Sequence, residues 1–133
     1  MKYEFDYVKI GNKFFPIIPF LVKSDREIVP VNALVDSGAT ISLFNADVGR
    51  ALKIDIEKGE KFYPTGISGK ILTYIHEVIL KIGDYEIKTK VAFTDELAVK
   101  INLLGRENIF ENFSVLFNDK LKRIVLEKIW CKA

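Results

Sequence analysis

Apolar and polar residues alternate with a period of two through most of this chain, and residues 85–93 are the clearest case. Such alternation is typical of a β-strand with one buried face. Residues 71–82 form another long β-type run, and Gly83-Asp84 between the two runs is a natural turn, so the pattern predicts a β-hairpin. The inner face of the second strand would carry Tyr85, Ile87, Thr89, Val91 and Phe93, and the outer face Glu86, Lys88 and Lys90.

Similar runs at both ends of the chain predict two more hairpins. Near the end, residues 113–117 and 121–126 flank an Asn-Asp-Lys turn. Near the start, residues 3–10 and 14–22 flank Gly11-Asn12-Lys13. The prolines in the second of these runs place it at a sheet edge or at a bulge, because proline cannot donate a ladder hydrogen bond.

Helix signals are few and local. Asn45 is a suitable N-cap for a helix over 46–52, and Gly105 precedes a short helical turn over 106–110. The length of 133 residues fits a single domain over 1–133, with 127–133 as a C-terminal tail available for a dimer interface. We expect an all-β fold, mostly antiparallel and closed or strongly curled, with one or two short helices.

The composition limits the classes of function. The chain carries 20 Lys+Arg against 18 Asp+Glu, and a net charge of +2 is too small to indicate nucleic-acid binding. Cys131 is the only cysteine, so no intrachain disulfide can form. The start of the chain lacks the apolar core of a signal peptide, and the run 14–22 is too short to span a bilayer. We therefore expect a cytoplasmic protein without nucleic-acid or membrane partners.

The stretch from Leu34 to Thr40 carries the strongest chemical signal. The apolar run Val31 to Val35 predicts a buried strand, and it ends in Asp36-Ser37-Gly38, which places a carboxylate at a tight turn. Gly38 lets its own N–H approach the carboxylate without a Cβ in the way, and Ser37 brings a hydroxyl beside the acid. The Asp-Ser-Gly triplet alone is often a simple β-turn, but the apolar residues on both sides of it favour a functional site over a surface turn.

Two later stretches are weak signals by themselves. Residues 63–69 combine glycines with small hydroxyl residues between β-type segments; they would form a hairpin tip able to cover a ligand, although a plain exposed loop is the simpler explanation. Residues 102–106 are an apolar pair that stops at a glycine, which alone indicates a short core strand and a turn. The candidate flap residues are Tyr63, Thr65, Gly66, Ile67, Ser68 and Gly69.

In this order, the three stretches resemble the pepsin-like aspartic peptidases, most closely the single-lobe retroviral type, the retropepsins. That family carries an apolar-apolar-Asp-[Ser/Thr]-Gly-Ala stretch, a glycine-rich flap and a later apolar-apolar-Gly-Arg stretch, similar here to Leu34–Ala39, Gly66–Gly69 and Leu103–Arg106. The resemblance implies a single-lobe, acid-protease-like closed β-barrel. Thr40 stands where many retroviral enzymes have an acidic residue that pairs with the arginine, so the partner of Arg106 is left open.

The resemblance also implies an aspartic endopeptidase that acts as a homodimer, because the chain offers the Asp-Ser-Gly triplet only once. Asp36 from each of two chains would share one proton and activate a water between them. Ser37, Gly38 and Ala39 would support the carboxylate, and the flap would cover a polypeptide substrate in extended conformation. No cofactor or metal is implied. The cleft wall would be formed by Leu103, Leu104 and Gly105.

Three other interpretations compete with this one. A serine hydrolase would need Ser37 and His76, but no Gly-x-Ser-x-Gly elbow surrounds the serine, and an imidazole within a strand is more often a satisfied or solvent-facing residue. One histidine and one cysteine offer no metal-ligand spacing. The remaining alternative is a catalytically weak or inactive peptidase-like module for dimerisation or peptide binding, since fold and function are separable. Such a module has no need for the Asp36 carboxylate.

Overall fold

The computed structural model describes residues 1–64, 70–97 and 99–129. Within them the chain is mostly β, with one short α-helix, α1 (Ala46–Ala51), and a 3₁₀ turn at Ile56–Lys58. The strands are β1 (Lys2–Asp6), β2 (Val8–Ile10), β3 (Lys13–Phe15), β4 (Ile17–Lys23), β5 (Ile28–Val35), β6 (Ser42–Asn45), β7 (Glu60–Phe62), β8 (Thr73–Ile82), β9 (Tyr85–Thr94), β10 (Asn102–Leu104), β11 (Phe113–Asn118) and β12 (Arg123–Lys128).

Six of these strands close into a barrel. In the order β4-β5-β10-β6-β9-β8 each strand is hydrogen-bonded to the next, and β8 returns to β4 where Leu21–Lys23 pair with Ile79–Lys81. The pairs β5–β10 and β6–β9 are parallel, and the other pairs of the ring are antiparallel. The structure confirms the predicted all-β fold with a closed barrel and a short helix.

Alternate residues of the barrel strands fill its interior. In β9 the predicted inner face is buried from Ile87 onward, and the predicted outer face is exposed. In the core, the Phe44 ring packs against Phe20 at a tilt and edge-on against Phe93, with centroid separations of 5.9 and 6.0 Å. Each fully buried phenylalanine contributes about 2–3 kcal/mol to stability. The period-two pattern therefore sets which side of each strand faces the core.

Two of the three predicted hairpins are present as expected. β8 and β9 pair along almost their whole length around Gly83-Asp84, and β11 pairs with β12 around the turn after Asn118. Gly83 has a φ of +61°, and a Cβ there would lie 2.2 Å from the Tyr3 ring. A glycine is required at this turn for both reasons.

The predicted hairpin at the start of the chain is wrong in extent. Only the short segments β2 and β3 pair with each other, whereas β1 pairs with β12 and β4 pairs with β5. The break falls at Tyr7, whose side chain is buried and whose hydroxyl donates to Asp119 at 2.7 Å. The first half of β4, which contains Pro19, pairs only with β5 and so lies at the edge position that the prolines predicted.

The helix prediction is confirmed at Asn45, whose side chain accepts the Asp47 N–H at 2.9 Å as the N-cap of α1. Residues 106–110 form a single turn, closed by the Phe110 N–H donating to the Arg106 carbonyl at 3.1 Å, and the left-handed φ of 64° at Asn108 keeps it from continuing as a helix. In the described parts of the chain, no helix is long and apolar enough to cross a membrane. Of the predicted tail, 130–133 lie outside the described residues.

Candidate active site

Asp36 lies directly after β5, at the point where the parallel strand β10 ends beside it. The Asp36 N–H donates to the Leu104 carbonyl at 2.9 Å, which extends the β5–β10 ladder by one bond. The Asp36 carbonyl accepts the Ala39 N–H at 3.2 Å, so the chain reverses there in a tight turn. The backbone of Asp36 is thus fixed by a strand that lies almost seventy residues later in the chain.

The Asp36 carboxylate is held by its own turn. The Gly38 N–H donates to Oδ1 at 2.9 Å, the contact that the sequence predicted from the glycine. A Cβ on Gly38 would lie 3.2 Å from the same oxygen, which is a tight contact for a carbon atom. Asp36 is half-buried, while Ser37 and Gly38 are exposed. The carboxylate therefore has a fixed orientation at the surface of the single chain.

Gly105 locks the end of β10 against the segment that follows the Asp36 turn. Its N–H donates to the buried Ser42 hydroxyl at 3.0 Å. A Cβ at this position would come within 2.6–2.8 Å of the Ile41 backbone and the Ala39 carbonyl oxygen. Sequence reasoning missed Ser42; the available signal was a small hydroxyl residue inside an apolar run.

The structure supplies the partners of Arg106 that the sequence left open. Its guanidinium Nη1 donates to the Ser37 carbonyl at 3.3 Å, and its Cζ lies 5.6 Å from the centroid of the Phe110 ring. Its backbone N–H donates to the Ala39 carbonyl at 2.8 Å. Arg106 therefore supports the outer side of the Asp36 turn without needing an acid at position 40.

Leu103 and Leu104, which the sequence predicted as a cleft wall, lie in β10 at the end that adjoins the Asp36 turn, and neither side chain lines the cavity beside that turn. Leu103 pairs with Leu34 on one side and with Leu43 on the other, and the Leu104 side chain is fully buried. A cavity of about 670 Å³ opens beside the same turn. Its lining includes the apolar side chains of Ile41, Phe62, Ile75 and Phe110.

The predicted flap is only partly described. Tyr63 is 53 % exposed, and Thr65, Gly66, Ile67, Ser68 and Gly69 lie outside the described residues. Both arms at the base are ordered by hydrogen bonds. The Thr73 hydroxyl donates to the Phe62 carbonyl at 2.7 Å, and the Glu96 carboxylate accepts the Leu72 N–H at 2.9 Å.

His76 is engaged away from Ser37. Its Nε2 lies 2.8 Å from the Ile56 carbonyl oxygen, and its ring packs edge-on against Phe93 at 5.9 Å. These contacts give the histidine a structural role in anchoring the 3₁₀ turn. Among the residues that the structure describes, no three His, Cys, Asp or Glu side chains cluster as metal ligands would.

Comparison with known proteins agrees with this geometry. The structure is similar to a retropepsin-like aspartic protease from Rickettsia conorii, with a TM-score of 0.71 and 18% identity, over 95% of this chain and 91% of that one. It is also similar to EIAV protease in complex with the inhibitor HBY-793, with a TM-score of 0.55 and 26% identity, over 78% of this chain and 93% of that one. A search of curated proteins finds no significant match. The aspartyl protease family model matches residues 18–107, a span that includes the Asp36 turn, both described arms of the flap and Gly105. The resemblance to the retropepsins is thereby confirmed, and the chain belongs to the aspartyl protease family.

Proposed function

We propose that this protein is an aspartic endopeptidase that acts as a homodimer, with one Asp36 from each protomer. The observation that carries the proposal is the Asp36 carboxylate itself. It is fixed by the Gly38 N–H, and it is presented at a surface turn whose Ser37 and Gly38 are exposed. A second copy related by a two-fold axis through this turn would bring two such carboxylates together.

In that arrangement the two carboxylates share one proton, because two like charges a few ångströms apart cannot both ionise cheaply. The ionised carboxylate takes a proton from the water between them, and the protonated one polarises the scissile carbonyl and then helps protonate the leaving amine. The titration belongs to the pair rather than to one residue. The Gly38 N–H contributes by holding one carboxylate oxygen in place, so the pair needs no reorganisation during the reaction.

The surrounding residues suit an extended polypeptide substrate. Leu103 and Leu104 support the Asp36 turn from β10, and the cavity beside it offers apolar side chains to a substrate side chain. Residues 63–69 would cover the substrate and bond its backbone as an added strand. The proposal also includes a single domain over 1–133, a dimer interface to which residues 127–133 contribute, and a cytoplasmic location.

Cleavage of a denatured-protein mixture by the purified protein tests the proposal, with Asp36→Asn as the matched variant. The substitution keeps the shape and removes the charge, so we expect product only from the wild type. Equal product from both proteins would overturn the peptidase assignment. No product from either protein, with a dimer present, would favour the inactive peptide-binding module.

Mixing experiments test the shared site. When wild type and Asp36→Asn are combined in equal amounts and allowed to exchange, roughly one quarter of the dimers contain two wild-type chains. We expect activity to fall to about one quarter of that of the wild type at the same total protein concentration, because a dimer with one aspartate lacks half of the pair. A fall to only one half would show that each chain works alone.

A further inference from the structure

The imidazole of His76 lies against the segment that leads into β7. His76 is the only histidine of the chain, and it is half-buried in β8. Its Nε2 lies 2.8 Å from the Ile56 carbonyl oxygen, at the start of the 3₁₀ turn that precedes β7. Because a carbonyl oxygen can only accept a hydrogen bond, Nε2 must carry the proton. The neutral Nε2–H tautomer and the charged imidazole both donate in this way.

Gly59 stands between the 3₁₀ turn and β7 and fits directly against the same imidazole. A Cβ at Gly59 would lie 2.6 Å from His76 Nε2 and 2.6 Å from the Ile75 carbonyl oxygen. The φ of −72° at Gly59 suits any residue, so the glycine is needed for the close approach rather than for its conformation. The Gly59 N–H also donates to the Ile56 carbonyl at 3.1 Å. One carbonyl group therefore joins the entry of β7 to the His76 ring.

The point at which the chain enters β7 decides whether Phe62 faces the cavity beside the Asp36 turn. Glu60 pairs with Ile75, and Phe62 pairs with Thr73. Paired residues and alternate residues of a strand share a face, so Phe62 lies on the same face as Ile75. Both side chains line the cavity of about 670 Å³. A shift of β7 by one residue would turn Phe62 to the other face and away from this cavity.

The β7 strand needs support to keep this register. It is three residues long, only Phe62 in it is apolar, and in the described part of the chain it pairs only with β8. A short strand at a sheet edge with few apolar residues specifies its register weakly. At its far end the Thr73 hydroxyl donates to the Phe62 carbonyl at 2.7 Å. At its near end the His76 ring holds the Ile56 carbonyl.

We propose that His76 is a positioning residue for peptide cleavage: its bond to the Ile56 carbonyl keeps β7 in the register that presents Phe62 to the substrate. The role acts through Phe62, because His76 follows Ile75 in β8 and so points away from the cavity. The edge-on contact of the imidazole with the Phe93 ring, at 5.9 Å, keeps it there. The inference rests on the proposed function, which assigns the cavity to a substrate side chain.

Steady-state kinetics on one peptide substrate, taken from the denatured-protein mixture, test this role. His76→Leu removes the donor, whereas His76→Gln offers an amide N–H at about the position of Nε2. In His76→Leu only part of the molecules would have Phe62 in place, so we expect KM to rise about fivefold with kcat unchanged. His76→Gln should restore most of the wild-type KM. An unchanged KM in His76→Leu, or a fall in kcat instead, would overturn the positioning role.

Val78→Ala is the matched control for a general loss of stability. Val78 lies two residues after His76 on the same face of β8, and it is 3 % exposed. Its truncation loosens the core without touching the entry of β7, so it should lower the Tm but leave KM at the wild-type value. A rise of KM in Val78→Ala equal to that in His76→Leu would show that stability alone sets substrate binding, and the positioning role would be wrong.

Hydrogen exchange tests the contact without peptide cleavage. Mass spectrometry of a fragment covering 56–62 should show faster amide exchange in His76→Leu than in the wild type. Gly59→Ala should have the same effect, because its Cβ would push the chain off the Ile75 carbonyl, whereas Val78→Ala should leave this segment unchanged. Nitrogen NMR of the only imidazole should place its proton on Nε2. Equal exchange in His76→Leu and the wild type, or a neutral imidazole protonated at Nδ1, would overturn the contact.

The outcomes separate this inference from the proposed function. If the wild type cleaves peptides and His76→Leu matches it in KM and in amide exchange, the positioning role is wrong and the peptidase assignment stands. If the wild type dimerises but cleaves nothing, the proposed function fails, and the role of His76 in cleavage fails with it even where amide exchange becomes faster.

Discussion

Gly105→Ala is the sharpest test of how the Asp36 turn is held. The added Cβ would lie 2.6 and 2.7 Å from the Ile41 carbonyl carbon and oxygen, and 2.8 Å from the Ala39 oxygen. Ordinary contacts of this kind are about 3.5 Å, so the two segments must separate by roughly 0.8 Å. All three clashing atoms belong to the backbone, so no side-chain rotation can relieve the contact.

The magnitude follows from the bonds that this separation breaks. The Arg106 N–H reaches the Ala39 carbonyl at 2.8 Å, and the Glu107 N–H reaches the Thr40 carbonyl at 2.9 Å. An added separation of roughly 0.8 Å would take both beyond hydrogen-bond distance, at about 1 kcal/mol each. Residual overpacking adds about 1 kcal/mol, so the free energy of unfolding should fall by about 3 kcal/mol.

Urea unfolding with an unchanged m-value measures this loss. Gly11→Ala is the matched control, because Gly11 has a φ of +63° but no atom lies within 4 Å of its would-be Cβ. It should lose only about 1 kcal/mol, the strain of a left-handed alanine. A Gly105→Ala loss no larger than that of Gly11→Ala would refute the claim that Gly105 fixes the turn.

Three further predictions concern stability. Asn45→Ala removes the acceptor of the Asp47 N–H and should lower the free energy of unfolding by about 1 kcal/mol in urea; no change would contradict the capping role. Leu104→Ala deletes a fully buried side chain and should lower it by about 3 kcal/mol in the same assay, whereas a loss below 1 kcal/mol would contradict its core position. Burial and the hydrogen bond to Asp119 raise the pKa of Tyr7 from 10.0 to about 12. The neutral phenol therefore contributes fully to stability below pH 10, and this contribution is lost as the pH rises towards 12. An alkaline titration followed by absorbance should show one tyrosine that deprotonates near pH 12, and Tyr7→Phe should remove that transition. An unchanged titration curve in the variant would contradict the raised pKa of Tyr7.

Local sequence patterns predict those parts of the fold in which neighbours in the chain are neighbours in space. The β8–β9 hairpin and the cap at Asn45 are of this kind, because turn residues and a short polar side chain act on adjacent backbone. The pairing of β1 with β12 joins residues about 120 positions apart, and alternation alone does not identify the partner. The predicted N-terminal hairpin is wrong in extent for this reason.

The contacts of the candidate site likewise divide into those between neighbours in the chain, which the sequence predicts, and those between distant segments, which it does not. The contact of the Gly38 N–H with Asp36 follows from the triplet, since a glycine two residues after an acid brings its amide to the carboxylate. Ser42 was visible as a small hydroxyl residue inside an apolar run, but its contact with Gly105 could not be predicted, nor could the contact of Arg106 with the Ser37 carbonyl, because both depend on how two distant segments cross. The second carboxylate belongs to another copy in our proposal, and one sequence gives no distance between copies.

The hydrogen bond from Asp36 to Leu104 also bears on when the site can form during synthesis. Ribosomes deliver the chain from its N-terminus, and a contact between residues far apart must wait until the loop between them has closed. The Asp36 turn is synthesised before β10, and Leu104, which holds it, follows 68 residues later. A nascent or truncated chain that stops before β10 therefore has the acidic triplet without the geometry. Under the proposed function, proteolytic activity would appear only after the barrel is complete, so an unfinished chain could not cleave itself.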